Sequence, residues 1–126
     1  MRVLGFSKKW PKLEQKEFST FRYSRIDKDW GIREEVKVVF QPRRKGGGDV
    51  LGIAKIINTE VREFDKVYSD MMNDGVPLIT EKEAIADGFN GVADMINWLK
   101  KTYGRLDFMP RMNKLTLYWI ERFNQS

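Results

Sequence analysis

Two short runs rich in β-branched residues, 35–41 and 50–58, flank a glycine-rich connection, and they constrain the rest of the chain most. Val36, Val38, Val39 and Phe40 fill the first run; Leu51, Ile53, Ile56 and Ile57 fill the second. Such side chains fit a pleated, half-buried surface, so both runs read as strands. Between them, Gly46, Gly47 and Gly48 follow the basic residues Arg43, Arg44 and Lys45. The second strand starts at once, so this connection reads as a mobile hairpin turn and not as a linker between domains. The second strand is expected to continue, bent, toward Phe64.

The remaining elements are read against this pair. Residues 3–7 form a short apolar run and read as a strand. Residues 8–17 contain Pro11 and lack helical periodicity, so they read as a loop or a single turn. Residues 18–24 read as a strand, and 27–31 as a turn. Residues 64–77 are irregular, with room for a short turn of helix. Thr80 and Glu83 have the spacing of a capping box, which predicts a short helix over 81–86 that stops at Gly88. Val92, Met95, Ile96 and Leu99 recur at i, i+3, i+4, i+7 and predict a second helix ending at Gly104. Trp98 flanks that stripe and reads as the edge of a core. Residues 114–123 alternate Leu115, Leu117 and Trp119 with Thr116 and Tyr118, a terminal strand. Strands, then helices, then a strand make an α+β fold, with a small curled sheet or barrel and helices on one side. At 126 residues, a single domain over 1–126 with its own core is expected.

Two absences narrow the chemistry. The chain has no Cys and no His. Thiolate nucleophiles, sulfur-held zinc, Ser-His-Asp triads and two-histidine nuclease mechanisms are therefore excluded. No D-x-D or EF-hand pattern suggests a carboxylate-held metal, and none of the nucleotide-binding glycine motifs occurs. Neither a metal nor a cofactor is expected. No run approaches the roughly 18 apolar residues of a membrane span. The N-terminus turns charged too early for a signal peptide. The expectation is a cytoplasmic protein without a membrane partner; the sequence leaves the oligomeric state open.

Charge is unevenly spread. Residues 1–45 carry a net charge of +7 and residues 46–126 a net charge of −2. A basic half of this kind suits a polyanion. Aromatic residues are interleaved with the cations, as single-stranded nucleic acid requires. The expected contacts are Lys8, Lys9, Trp10, Lys12, Lys16, Arg22, Arg25, Trp30, Arg43 and Arg44. Trp10 and Trp30 lie in loop-like basic surroundings and are the expected stacking platforms, whereas Trp98 and Trp119 lie in apolar periodic elements. A basic face that meets an acidic protein is the alternative from another class, distinguished by whether excess RNA displaces the ligand.

Several segments then resemble a known family. Val50-Leu51-Gly52-Ile53-Ala54-Lys55-Ile56, Glu83-Ala84-Ile85-Ala86-Asp87-Gly88-Phe89, Trp98-Leu99 to Tyr103-Gly104 and Lys114-Leu115-Thr116-Leu117 occur in the order seen in ASCH (activating signal cointegrator homology) domains. Most relatives carry Glu at the position of Asp87. The resemblance spans nearly the whole chain. It implies a PUA-like β-barrel with two or more flanking helices and a cleft suited to RNA or a nucleobase. The family signature G-x-K-x-x-E-x-R, anchored on Arg22, puts Gln15 at the Gly, Glu17 at the Lys and Thr20 at the Glu. Lys16 falls one place early, and a one-residue bulge would restore it to the cleft.

Some ASCH proteins bind RNA, some remove the acetyl group of N(4)-acetylcytidine, and one is described as a ribonuclease. The resemblance therefore implies single-stranded RNA or a modified nucleoside as partner. It also implies, for a metal-independent hydrolase, the catalytic set Lys16, Thr20 (or Ser19) and Asp87. Such a set pairs a base, a nucleophile and an acid, provided that the lysine pKa is lowered and the carboxyl pKa raised.

Overall fold

The computed structural model describes residues 1–25, 27–64, 76–103 and 111–123. Its elements are β1 (Arg2–Phe6), a 3-10 turn (Pro11–Glu14), β2 (Glu17–Arg22), β3 (Glu35–Phe40), β4 (Asp49–Glu63), α1 (Glu81–Asp87), α2 (Val92–Tyr103) and β5 (Arg111–Arg122). The fold is α+β, as expected. Residues 65–75 of the irregular stretch and the predicted helix end at Gly104 lie outside the described residues.

The strands form one mixed sheet in the order β1-β3-β4-β5-β2. β1 runs parallel to β3, and the other neighbours are antiparallel. β4 is the long spine, 15 residues, and shifts register against β5 after Ile53 and after Ile56. Such bulges bend a strand and increase its twist, which is why this one can serve two partners while curling. β1 and β2 end the order and are not paired with each other. The curl nevertheless brings their side chains together, with the Phe6 and Phe18 rings edge to face at 6.3 Å.

Two buried clusters result. One joins side chains from all five strands: Leu4, Phe6, Phe18, Val36, Val38, Ile56, Leu115, Leu117 and Trp119, with Leu13 of the 3-10 turn, among others. The second packs Met95, Ile96 and Leu99 of α2, and Ala84 of α1, on Phe21, Phe64 and Met112. The helical stripe and the alternation of β5 thus bury the residues their periods predict. In β2 the pleat splits neighbours: Phe18 enters the first cluster and Phe21 the second. α1 is closed at its start by the predicted box, with Thr80 accepting from the Glu83 N–H and Glu83 accepting from the Thr80 N–H. At its end Gly88 adopts φ 116°, a left-handed conformation that side chains disfavour.

The loop before β3 is tied to β1. The Arg2 guanidinium donates to Glu34 at 2.6 Å and also to the carbonyls of Lys28 and Asp29. This contact holds the Glu34 carboxyl below its ordinary value of 4.5. A carboxylate whose pKa is depressed on folding contributes stability above the ordinary value and loses it as pH falls through the folded one. Glu34→Gln is therefore expected to lower the melting temperature at neutral pH and to flatten the loss of stability below pH 4.5. Parallel acid titrations of both proteins that track each other would refute this.

Candidate functional site: a cleft at the seam of two cores

A cleft of about 1070 Å³ opens between β1 and β2, which are not paired with each other, and is lined by residues of both clusters. Val3 to Ser7 form one wall and Thr20 to Arg25 the facing one; Trp10, Phe89 and Trp98 add rings. Trp10 packs against both clusters, with its ring 5.3 Å from that of Phe89. Phe89 in turn lies 5.8 Å from Trp98. Gly88 has a steric duty here: a Cβ at that position would stand 2.4 Å from the Trp10 ring.

Lys12, Thr20, Arg22 and Asp87 are among the polar residues of the cleft, and three of these four are buried: Lys12 at 6%, Thr20 at 3% and Asp87 at 6% exposure. Pro11 opens the 3-10 turn that turns both Lys12 and Leu13 inward. Leu13 enters the first cluster, whereas the Lys12 ammonium donates to the Asp87 carboxylate and, at 2.8 Å, to the Ser19 carbonyl. Asp87 is the last residue of α1, where the helix dipole disfavours a carboxylate; Lys12 offsets that.

Burial pushes the Lys12 ammonium below its ordinary pKa against the pull of Asp87, and Arg22 adds to the push. Burial likewise pushes the Asp87 carboxyl up, against Lys12, Arg22 and the Phe21 N–H. Both groups are thus biased toward their neutral forms, as a base and an acid working near neutral pH must be. Thr20 and Arg22, two apart on β2, share a face, and the Arg22 guanidinium donates weakly to the Thr20 hydroxyl at 3.4 Å.

The predicted catalytic set is therefore only partly brought together. Thr20 and Asp87 line the cleft. Lys16 does not: it is exposed, with its ammonium 5.2 Å from the Tyr118 ring centroid. Tyr118 also pushes its pKa up, the opposite of what a base requires. No bulge rescues it, because β2 pairs with β5 in unbroken register from Glu17 to Arg22. Lys12 occupies the position expected of Lys16. Nothing in residue type separates these two lysines; the only local signal is the Pro-led turn with Leu13 beside Lys12.

Of the expected nucleic-acid contacts, Trp10, Lys12, Arg22, Arg25, Trp30, Arg43 and Arg44 line the cleft. Lys8 and Lys9 are exposed outside it, over the rings of Trp10 at 4.5 Å and Phe40 at 4.9 Å. Trp30 is buried in the first cluster despite its loop-like sequence, with Arg2 and Arg25 over its ring at 4.5 and 5.3 Å. Trp98, read as core edge, is partly exposed on the cleft wall, and Trp119 is core.

Among the described residues no group of His, Cys, Asp or Glu gathers as a metal site would require, and no helix is long and apolar enough to cross a membrane. No protein-family model, curated protein or solved structure matches the chain.

Proposed function

We propose that this chain is a cytoplasmic RNA- or nucleobase-binding domain of the ASCH type, a PUA-like barrel left open between β1 and β2, and that a base of single-stranded RNA enters the opening. The observation that carries this reading is the make-up of the cleft. Flat rings (Trp10, Phe89 and Trp98) stand on its walls beside the polar groups of Thr20, Asp87 and Lys12. An unstacked base presents the complementary surface, a π face to stack on and a polar edge to hydrogen-bond.

The test is titration with single-stranded and duplex RNA. Single strands are expected to bind tighter, with a log–log salt slope of about −3 if roughly four phosphates are neutralised. Thr20→Val and Asp87→Asn are expected to weaken binding without changing that slope. A flat salt response, or equal binding of duplex, contradicts the reading.

A second reading, a hydrolase, is favoured by one observation: a lysine, a hydroxyl and a carboxyl line the same cleft, the lysine and carboxyl biased toward neutrality. On N(4)-acetylcytidine the Lys12 amine takes the Thr20 hydroxyl proton and the Thr20 oxygen adds to the acetyl carbonyl. Asp87 protonates the departing cytosine amine, and water then releases acetate. Hydrolysis that survives EDTA and is abolished by Lys12→Arg identifies the enzyme; an inactive wild type leaves the binding domain alone.

A further inference from the structure

The turn between β3 and β4 is built onto the cleft, and its root is fixed. The Gln41 N–H donates to the Phe6 carbonyl of β1 at 2.7 Å. Pro42 lies over Gly5 so closely that a Cβ on Gly5 would stand 2.6 Å from the proline ring. Gln41 takes φ 49°, and the Arg44 N–H then closes a turn on the Gln41 carbonyl at 3.1 Å. Gly5 and Gln41 thereby help place Arg43 and Arg44 in the lining of the cleft. Beyond them, at Gly46 and Gly47, the chain meets open space.

Charge makes this placement informative. Among the described lining residues there are five cations, Lys12, Arg22, Arg25, Arg43 and Arg44, and one carboxylate, Asp87. Asp87 is already engaged by Lys12, so the described lining offers no second carboxylate to Arg43 or Arg44. Arg44 pairs with Asp49 at 2.7 Å and Arg25 with Asp27 at 3.2 Å, and all four side chains are at least two-fifths exposed. Exposed pairs of this kind hold weakly, so a phosphate can take these guanidiniums, for which their planar fork is suited. The volume, about 1070 Å³, lies just above the roughly 300–1,000 Å³ typical of small-ligand pockets, leaving space beyond a base and its sugar.

We propose that Arg43 and Arg44 form a phosphate clamp, so that the ligand of this cleft is a phosphorylated nucleotide, in a strand or free, and not a nucleoside. This rests on the reading of the cleft as a base site and specifies its substrate class. The shared chemistry is a phosphate oxygen pair next to a seated base; a phosphodiester of RNA and a terminal phosphomonoester both supply it.

The experiment compares the common ribonucleosides, their 5′-monophosphates and short single-stranded homopolymers, on the wild type, Arg43→Ala/Arg44→Ala, and a control, Lys82→Ala/Lys100→Ala. The control removes the same charge from exposed helix positions outside the cleft. The phosphorylated ligands are expected to bind about tenfold or more tightly than the nucleosides. The arginine double variant is expected to remove that gain, leave nucleoside affinity unchanged, and flatten the strand's salt slope by about 0.7 for each phosphate released. The control keeps the gain. A gain confined to strands assigns the clamp to a phosphodiester, and a gain shared by the monophosphates assigns it to any phosphate beside the base.

Nucleosides that bind as tightly as strands overturn the clamp while leaving the base site standing. An arginine variant that behaves like the wild type, or like the control, does the same. Strand binding that depends on the arginines but ignores Thr20→Val and Asp87→Asn overturns the base site and keeps a phosphate site. Absence of binding by every probe overturns both.

Discussion

Lys12→Met is expected to cost the folded chain about 3–5 kcal/mol, because it leaves the buried Asp87 carboxylate without its cation. Both side chains are mostly enclosed, so water replaces the lost partner only in part. The double variant Lys12→Met/Asp87→Leu is expected to recover most of the loss, since an apolar pair carries no desolvation cost. The pH dependence separates this from a simple packing defect. Without Lys12, Asp87 keeps a raised folded pKa from burial. Its favourable contribution is then complete below the ordinary value of 3.8 and is lost as pH rises through the folded value. The deficit of Lys12→Met relative to wild type should therefore grow with pH. Asp87→Asn should show the mirror image: Lys12 is left with a lowered folded pKa from burial, so its deficit shrinks as pH rises. Urea denaturation of the three variants across pH decides it. Deficits independent of pH in both single variants would falsify the buried ion pair.

The four tryptophans should separate into classes that their sequence surroundings do not indicate. Trp30→Ala and Trp119→Ala each remove a buried ring from the first cluster and are expected to cost about 3–5 kcal/mol of stability. Trp10→Ala removes a half-buried ring at the seam. It is expected to lower RNA affinity by roughly 1–3 kcal/mol if a base stacks there, with a smaller loss of stability than Trp30→Ala. Trp98→Ala, partly exposed on the cleft wall, should act on binding more than on melting. The check is thermal melting and RNA titration of all four. A Trp30→Ala protein that melts like the wild type would show that this ring serves the ligand and not the core.

The site was legible in part. Arg22 and Thr20 stand two apart in a strand, so any inward face for one is inward for the other; that follows from the pleat alone. Asp87 before Gly88 marks a helix end, but whether the carboxylate points to solvent or to a cleft depends on what packs against that end. Here β2 does, and the Phe21 N–H and Lys12 meet it. The signature anchored on Arg22 points to Lys16, one place from its lysine position. Sequence distance misled: the 3-10 turn moves Lys12 under the sheet, while Lys16 is left outside over Tyr118. Trp30, expected as a stacking platform, lines the cleft and is also buried in the first cluster. A polar neighbourhood of Lys28, Asp29 and Arg33 says nothing of where the indole goes once Arg2 and Glu34 pin the loop to β1.

The sequence by itself determined the elements whose signals are periodic or local. These are the two β-branched runs, the capping box at Thr80 and Glu83, the stripe from Val92 to Leu99, and the alternation of Leu115, Leu117 and Trp119. Each is written within one or two turns of chain, where backbone geometry alone sets which side chains share a face. Only the tertiary structure decided that β1 and β2 would end the sheet facing each other, and that a lysine from a short turn and an aspartate 75 positions later would be buried together between them. That decision belongs to sheet order, bulges and the packing of α1 on β2. These are long-range contacts, made where the whole chain buries its apolar surface best, and no local pattern of residues records them.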